Sequence, residues 1–252
     1  MASPEELFGH WARVGLNIHG TLPLDALSPE LRAAWVQAVP DLPSGGSLWV
    51  LGHQGPAMWQ HLGALWGADW PLRTRNPHPL DDWARETVSR ALSAQGLAHR
   101  ILFPATDPTG AATASPLPLQ RLGEALGWHH ASPFQVGIDA QWGSWFAYRV
   151  VAWVAQEMPA NSPRALGHVC DTCTHRACER ACPAQALAPQ WQMRSCLDHR
   201  LRVGSSCAQT CLARVACPVA ADQAYPPEQL AYHYGQSLAF IRQWVGTSGG
   251  AP

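Results

Sequence analysis

The sequence predicts an α+β chain in two parts: a mixed helix-and-strand domain over residues 1–160 and a mainly helical, cysteine-rich domain over residues 161–252. Three observations predict it. From Pro4 to Val154, apolar residues switch between helical spacing and compact runs of strand length, the pattern of helices packed on a sheet. All eight cysteines lie at or beyond Cys170. Between these regions, Pro159-Ala160-Asn161-Ser162-Pro163 has the composition of a linker.

The elements follow in order. Leu7, Trp11 and Val14 share a helical face after Ser3 as N-cap and Pro4 in the first turn. Ser28 caps a second helix, Pro29 to Val39, with Leu31, Trp35 and Val39 on one face. Ser47-Leu48-Trp49-Val50-Leu51 is a strand, leading through the turn Gly52-His53-Gln54-Gly55-Pro56 into a helix over Met58–Leu65. Asp81 or Asp82 is the expected cap of a helix running to Gln95 and ended by Gly96. His99 to Pro104 reads as the next strand. Residues 105–118, rich in small residues, Thr and Pro, form a long loop, either a lid or a surface excursion. A helix over Leu119–Leu126 precedes two strands, Gln135–Asp139 and Trp145–Val154, whose short separation suits a hairpin. Beyond the cysteines, Tyr225-Pro226-Pro227-Glu228 opens a helix with Leu230, Tyr234, Leu238, Ile241 and Val245 on one stripe, and residues 246–252 form a disordered tail.

Composition narrows the function classes. Hydrophobic residues make up 47% but charged ones only 14%, and the formal net charge is −1. No basic field marks a nucleic-acid partner or an anionic membrane, so neither is expected. Thirteen tryptophans serve as core, or as walls for a flat cofactor. The first residues lack a basic and apolar export signal and no apolar run reaches membrane-span length, so a cytoplasmic location is expected. Eight cysteines in a reducing compartment read as metal ligands and not as four disulfides.

Four thiols crowd Cys170-Asp171-Thr172-Cys173-Thr174-His175-Arg176-Ala177-Cys178-Glu179-Arg180-Ala181-Cys182-Pro183, spaced C-x2-C-x4-C-x3-C. Each iron of a cubane takes one thiolate, and a tight loop can supply three corners while the fourth cysteine, before proline, serves a neighbouring cluster. Zinc is the rival, but its sites usually show two C-x2-C pairs and this chain has one. Cys196, Cys207, Cys211 and Cys217-Pro218 bring the total to the eight that two 4Fe-4S clusters require. Both groups end in Cys-Pro, like a distorted duplication of one loop. The favoured pairing is crossed: Cys170, Cys173, Cys178 and Cys217 for one cluster, Cys182, Cys196, Cys207 and Cys211 for the other. The sequential alternative takes the first four and the last four. In the crossed pairing, Cys182 ties the two sites together.

These residues resemble the ferredoxin domain of epoxyqueuosine reductase, where a dense cysteine run ending in Cys-Pro precedes a segment like Cys196-Leu197-Asp198-His199 and a later Cys-Pro group. The resemblance extends upstream through Ala125-Leu126-Gly127-Trp128, Gly137-Ile138 and Gly143-Ser144-Trp145. Trp142-Gly143-Ser144-Trp145-Phe146-Ala147-Tyr148-Arg149 is similar to a stretch of the cytosolic cobalamin-processing chaperone. It covers roughly residues 119–218. It implies the crossed ligation, a nitroreductase-like N-terminal α/β sandwich that holds cobalamin, and a two-cluster ferredoxin-like C-terminal domain. This is no close match to the reductase itself. After Gly-Trp the reductase continues Ile-Gly-Lys-Asn, where this chain has His129-His130-Ala131-Ser132-Pro133. The stretch Ala111 to Pro118, where the reductase carries an acidic proton donor, has no carboxylate, and Asp107 is the nearest.

The candidate cofactor-binding residues are therefore His129, His130, Trp142, Gly143, Ser144, Trp145 and Arg149, with Asp139 and Asp107 as candidate proton donors. Each has a plainer reading: adjacent loop histidines face solvent, Asp139 ends a strand, and Arg149 in an apolar strand takes an ion pair. His175, within the cluster loop, is read as a donor to a sulfur. Twelve histidines form no H-E-x-x-H zinc signature. Three functions are compatible. The first is an iron–sulfur oxidoreductase whose clusters, fed by a flavodoxin or a reductase, deliver electrons to cobalamin, or secondarily flavin, in the N-terminal domain. The others are a ferredoxin-like electron carrier and a protein of cobalamin reduction and trafficking.

Overall fold

The structure is a computed structural model that describes residues 3–104, 117–160 and 167–247. In chain order the elements are α1 (Pro4–Arg13), β1 (Ile18–Pro23), α2 (Pro29–Ala38), β2 (Ser47–Gln54), α3 (Ala57–Trp66), α4 (Trp70–Arg73), α5 (Pro79–Ala94), β3 (His99–Phe103) and α6 (Leu119–Ala125). They continue with β4 (His130–Ala131), β5 (Gly137–Ile138), β6 (Phe146–Val154), α7 (Ala177–Ala181), α8 (Met193–Leu201), α9 (Leu212–Val215) and α10 (Pro227–Thr247). The chain divides into two compact units: Met1–His129 with Phe146–Ala165, and His130–Trp145 with Leu166–Pro252.

The first unit is built on an antiparallel sheet of order β1-β2-β6-β3. Its central strand β2 is buried from Ser47 through His53, so both of its faces are covered. That burial follows from its composition, an unbroken apolar run at Leu48-Trp49-Val50-Leu51 with no alternating polar face. Helix α1 starts on a capping box: the Ser3 hydroxyl accepts from the Glu6 N–H, and the Ser3 N–H donates to the Glu6 carboxylate at 2.7 Å. It lays Phe8 and Trp11 against Trp49 of β2, with ring centroids 5.2 and 6.4 Å away. Trp11, Trp35 and Trp49 are fully buried, so these tryptophans are core residues. The Thr21 hydroxyl donates to the Pro159 carbonyl at 2.7 Å, tying the start of the linker to β1.

The second unit has little regular structure apart from α10. Its core cluster contains Phe134, Ile138, Leu187 and Ala213 together with Cys178 and Cys217, and Cys170, Cys182 and Cys211 pack against it. Trp145 is buried in a neighbouring cluster with Tyr225 and Leu230.

Three expectations are corrected. The strands at 135–139 and 145–154 form no hairpin. Gly137–Ile138 pairs with β4, whereas the nine-residue β6 lies between β2 and β3, where its apolar side chains are buried. The short link between them closes on itself, because Asp139 and Gly143 exchange backbone hydrogen bonds of 2.9 Å. Residues 130–145, assigned by sequence to the first domain, pack in the second unit. Helix α5 begins at Pro79 after His78, which makes no side-chain cap, so Asp81 and Asp82 fall in its first turn. The expected loop at 105–118 lies almost wholly outside the described residues, as do 161–166 of the linker region and residues 248–252 of the tail; 246–247 belong to α10. No described helix is long and apolar enough to cross a membrane.

Candidate functional site

Eight cysteines are free, and the fold of the second unit sorts them around two cavities. Cys170, Cys173, Cys178 and Cys217 line the smaller one, with Ile138, Val169 and Val219 among its apolar walls. Cys182, Cys196, Cys207 and Cys211 line the larger, about 460 Å³, with Leu187, Trp191 and Tyr234. Phe134 lines both.

Local structure explains the sorting. Cys170 and Cys173 lie on successive turns closed by Asp171 N–H to His168 and Cys173 N–H to Cys170. Helix α7 carries Cys178 on its first turn, and Cys182 follows as its C-cap, so one helical turn sends neighbouring thiols to different cavities. The second Cys-Pro stretch likewise sets two cysteines about a short helix: Cys211 stands at the N-cap position of α9, and Cys217 comes two residues after it ends. Three residues past each Cys-Pro cysteine, a non-glycine residue takes the left-handed conformation, Gln185 at φ 49° and Ala220 at φ 49°. The duplication read from sequence thus has a backbone counterpart.

Burial dominates the thiols' acidity. It pushes Cys170 up to about 11, and the neighbouring thiols Cys217, Cys178 and Cys173 add to the effect. Cys196 is likewise pushed up to about 11 by burial first; Cys211, Cys182 and Cys207 contribute, and Arg200 opposes. Cys170 and Cys196 therefore each feel the other three thiols around their own cavity. Burial also raises Cys178, Cys211 and Cys217. Backbone N–H groups work against it: that of Glu179 at Cys178, those of Arg214 and Ala213 at Cys211, and that of Val219 at Cys217. Such donors favour a charged sulfur, the form that ligates metal.

Among the described residues, no group of three or more His, Cys, Asp or Glu gathers closely enough for a single metal ion. The thiols instead stand around cavities with apolar walls. That donor set and spacing fit a cluster of several atoms, whose irons each take one thiolate. His175 is exposed and lines neither cavity, and its carbonyl accepts from the Arg180 guanidinium.

Of the seven candidate cofactor residues, His129 and Arg149 belong to the first unit and the other five to the second. None lines the two thiol cavities. His129 is buried, contrary to the solvent-facing reading, with Nε2 2.6 Å from the Tyr148 hydroxyl, which burial makes harder to ionise. His130 stacks on His168 at 4.5 Å, and burial lowers its pKa. Arg149 donates from Nε to His53 Nδ1 at 3.1 Å and pairs with Asp81 at 3.4 Å. Asp139 is buried, and its Oδ1 accepts from the N–H groups of Gln141 and Trp142 at 2.6 and 2.9 Å, the work of a turn residue. Asp107 lies outside the described residues.

Trp142-Gly143-Ser144-Trp145 packs against the cysteine segments. Gly143 has φ 59°, and a Cβ there would overlap the Val219 carbonyl oxygen, so only glycine lets the turn approach the second Cys-Pro stretch. The buried Arg214 guanidinium donates from Nε to Ser144 Oγ at 3.2 Å and also to the Ser144 carbonyl. It covers the Trp145 ring at 4.6 Å. Arg200 and Arg214, both on the wall of the larger cavity, escaped the sequence reading. Their signal was positional: each follows a cysteine of the larger cavity within one helical turn, Cys196 and Cys211 respectively.

No protein-family profile matches the chain, and no curated protein matches it by sequence. Solved structures do resemble it in fold. An epoxyqueuosine reductase from Bacillus subtilis superposes with a TM-score of 0.53 at 14% identity, over 88% of this chain and 66% of its own length. An epoxyqueuosine reductase solved with an epoxyqueuosine-modified tRNA stem loop gives 0.54 at 14% identity, over 90% of this chain and 68% of its own. The chain thus spans about two thirds of the reductases it resembles, and it has a mixed α/β architecture with an antiparallel sheet, matching the fold of epoxyqueuosine reductase.

Proposed function

We propose that the chain is an iron–sulfur redox protein of reductase type, with two 4Fe-4S clusters in the crossed pairing. Cys170, Cys173, Cys178 and Cys217 hold one, and Cys182, Cys196, Cys207 and Cys211 hold the other. The observation that carries this reading is the gathering of these two quartets around separate cavities walled largely by apolar side chains. The clusters supply one-electron chemistry when bound. The chain's own part is to present eight thiolates, exclude water with Phe134, Ile138, Leu187 and Trp191, and aim backbone N–H groups at Cys178, Cys211 and Cys217. Phe134, common to both cavity walls, keeps the sites adjacent.

In this reading the electrons pass to a cofactor of the N-terminal domain, cobalamin first and flavin second, from a flavodoxin or a reductase. Cobalamin is proposed from the resemblance of the Trp142–Arg149 stretch to the cobalamin-processing chaperone. A nucleic-acid substrate, unexpected from the net charge, enters the proposal because one chain of the same fold was solved with a tRNA stem loop.

Anaerobic reconstitution of single Cys→Ser variants, followed by iron counting and EPR, tests the pairing. Cys217→Ser should lose the same EPR signal as Cys170→Ser, and Cys182→Ser the same as Cys207→Ser. Loss of one common signal by all of the last four cysteines, with Cys182 grouped among the first, would replace the crossed pairing by the sequential one. Titration with cobalamins and flavins, read by absorbance, tests the acceptor. If neither binds, the electron-carrier reading takes over. If cobalamin binds without turnover of a substrate, the trafficking reading takes over.

A further inference from the structure

The two quartets sit in different electrostatic surroundings. Arg200 follows Cys196 by one turn of α8 and lines the larger cavity, donating from Nε to the Cys207 carbonyl at 3.3 Å and from its terminal nitrogens to Tyr234 O and Ser237. Arg214 lines the same cavity from α9, buried and bonded to Ser144. All their recorded partners are uncharged, and no carboxylate pairs with either among the described residues. The wall of the smaller cavity carries one guanidinium, Arg176, which is exposed and paired with Glu179 at 3.0 Å. The chain has no lysine, and an arginine charge does not switch off at any working pH.

Reduction adds one negative charge to a cluster. Nearby fixed cations favour that charge, most where water is excluded, while an exposed and paired cation contributes little.

We infer that Arg200 and Arg214 make the Cys182, Cys196, Cys207 and Cys211 site the higher in reduction potential, so that the first electron taken up by the protein rests there. This rests on the reading of both quartets as cluster sites. The step is an electron transfer alone: a one-electron donor, dithionite in the test, is oxidised, one ferric centre of the cluster is reduced, and no bond forms or breaks.

The test is an EPR-monitored redox titration of the full chain, reconstituted anaerobically, with iron and sulfide counted beforehand. Two distinct midpoints are expected. Cys196→Ser should retain only the lower one. Arg200→Met and Arg214→Met should each move the higher midpoint down and leave the lower in place, while Arg200→Lys should keep it near the wild-type value. If Arg214→Met does not load iron, Arg200→Met carries the test, since its contacts lie with backbone carbonyls and one serine. Equal midpoints, an unchanged higher midpoint in Arg200→Met, or retention of the higher midpoint by Cys196→Ser would overturn the inference. An iron count of one cluster or none in the wild-type chain would instead overturn the two-cluster reading, and the inference with it.

Discussion

At Arg149 a guanidinium is 9% exposed in an otherwise apolar strand, bonded to His53 and paired with Asp81. Burying a charge is tolerable only where partners replace the lost water. Here the ion pair foreseen for this residue is present, joined by a histidine nitrogen that must accept and therefore carries no proton. Arg149→Met would leave Asp81 and His53 short of a donor in a partly dry site. Its expected cost is about 1–3 kcal/mol, less than for a fully buried pair because Asp81 keeps some solvent. Urea denaturation checks this, and an unchanged midpoint would show that the trio adds no stability. Gly143 works differently at the same scale: its missing side chain brings the 139–143 turn onto the chain after Cys217.

At the scale of elements, α6 meets β6 through an equally close approach. A Cβ on Gly123 would overlap the Tyr148 hydroxyl and stand 2.7 Å from His129 Nε2. Glycine at this helical position lets the tyrosine reach the histidine, a hydrogen bond that then holds α6, the following turn and β6 together. Gly123→Ala should destabilise the first unit by about 1–3 kcal/mol through overpacking. Adding Tyr148→Phe should recover part of the loss, since the hydroxyl is the nearest clash. Equal melting temperatures for Gly123→Ala and the wild type would refute the packing argument. The cysteine-bearing elements obey another logic. Helices α7 and α9 are too short to stand by propensity alone, and their role is to deliver thiols to fixed points.

For the molecule as a whole, five raised thiols make the cluster-free protein sensitive to alkali. In the unfolded chain a cysteine ionises near its ordinary value of 9.0, while Cys170 and Cys196 hold their protons to about 11 when folded. Between those values the folded state binds more protons, so stability is full below about pH 9 and is lost as pH rises toward 11. Denaturation of the reduced, cluster-free chain across this window should show the decline. A cluster-loaded chain should not show it, because its thiolates are already bound to iron. A flat profile for the cluster-free chain would refute the burial of these thiols.

The sequence by itself singled out the eight cysteines proposed as ligands, because cysteine spacing is a local property that a short loop must satisfy. It also marked most helices and strands, from Ser3 and Ser28 as caps to the apolar run of β2, since caps and periodicity act within a few residues. Tertiary structure decided what those residues meet. Ser144 finds Arg214 seventy positions away, and Trp145 joins Tyr225 in the cysteine unit and not in the sheet domain. No local pattern encodes such meetings, because they depend on where two distant segments fold onto one core. Tertiary structure likewise brought Cys217 to the cavity of Cys170, a placement that spacing favoured but that only the folded loops could supply.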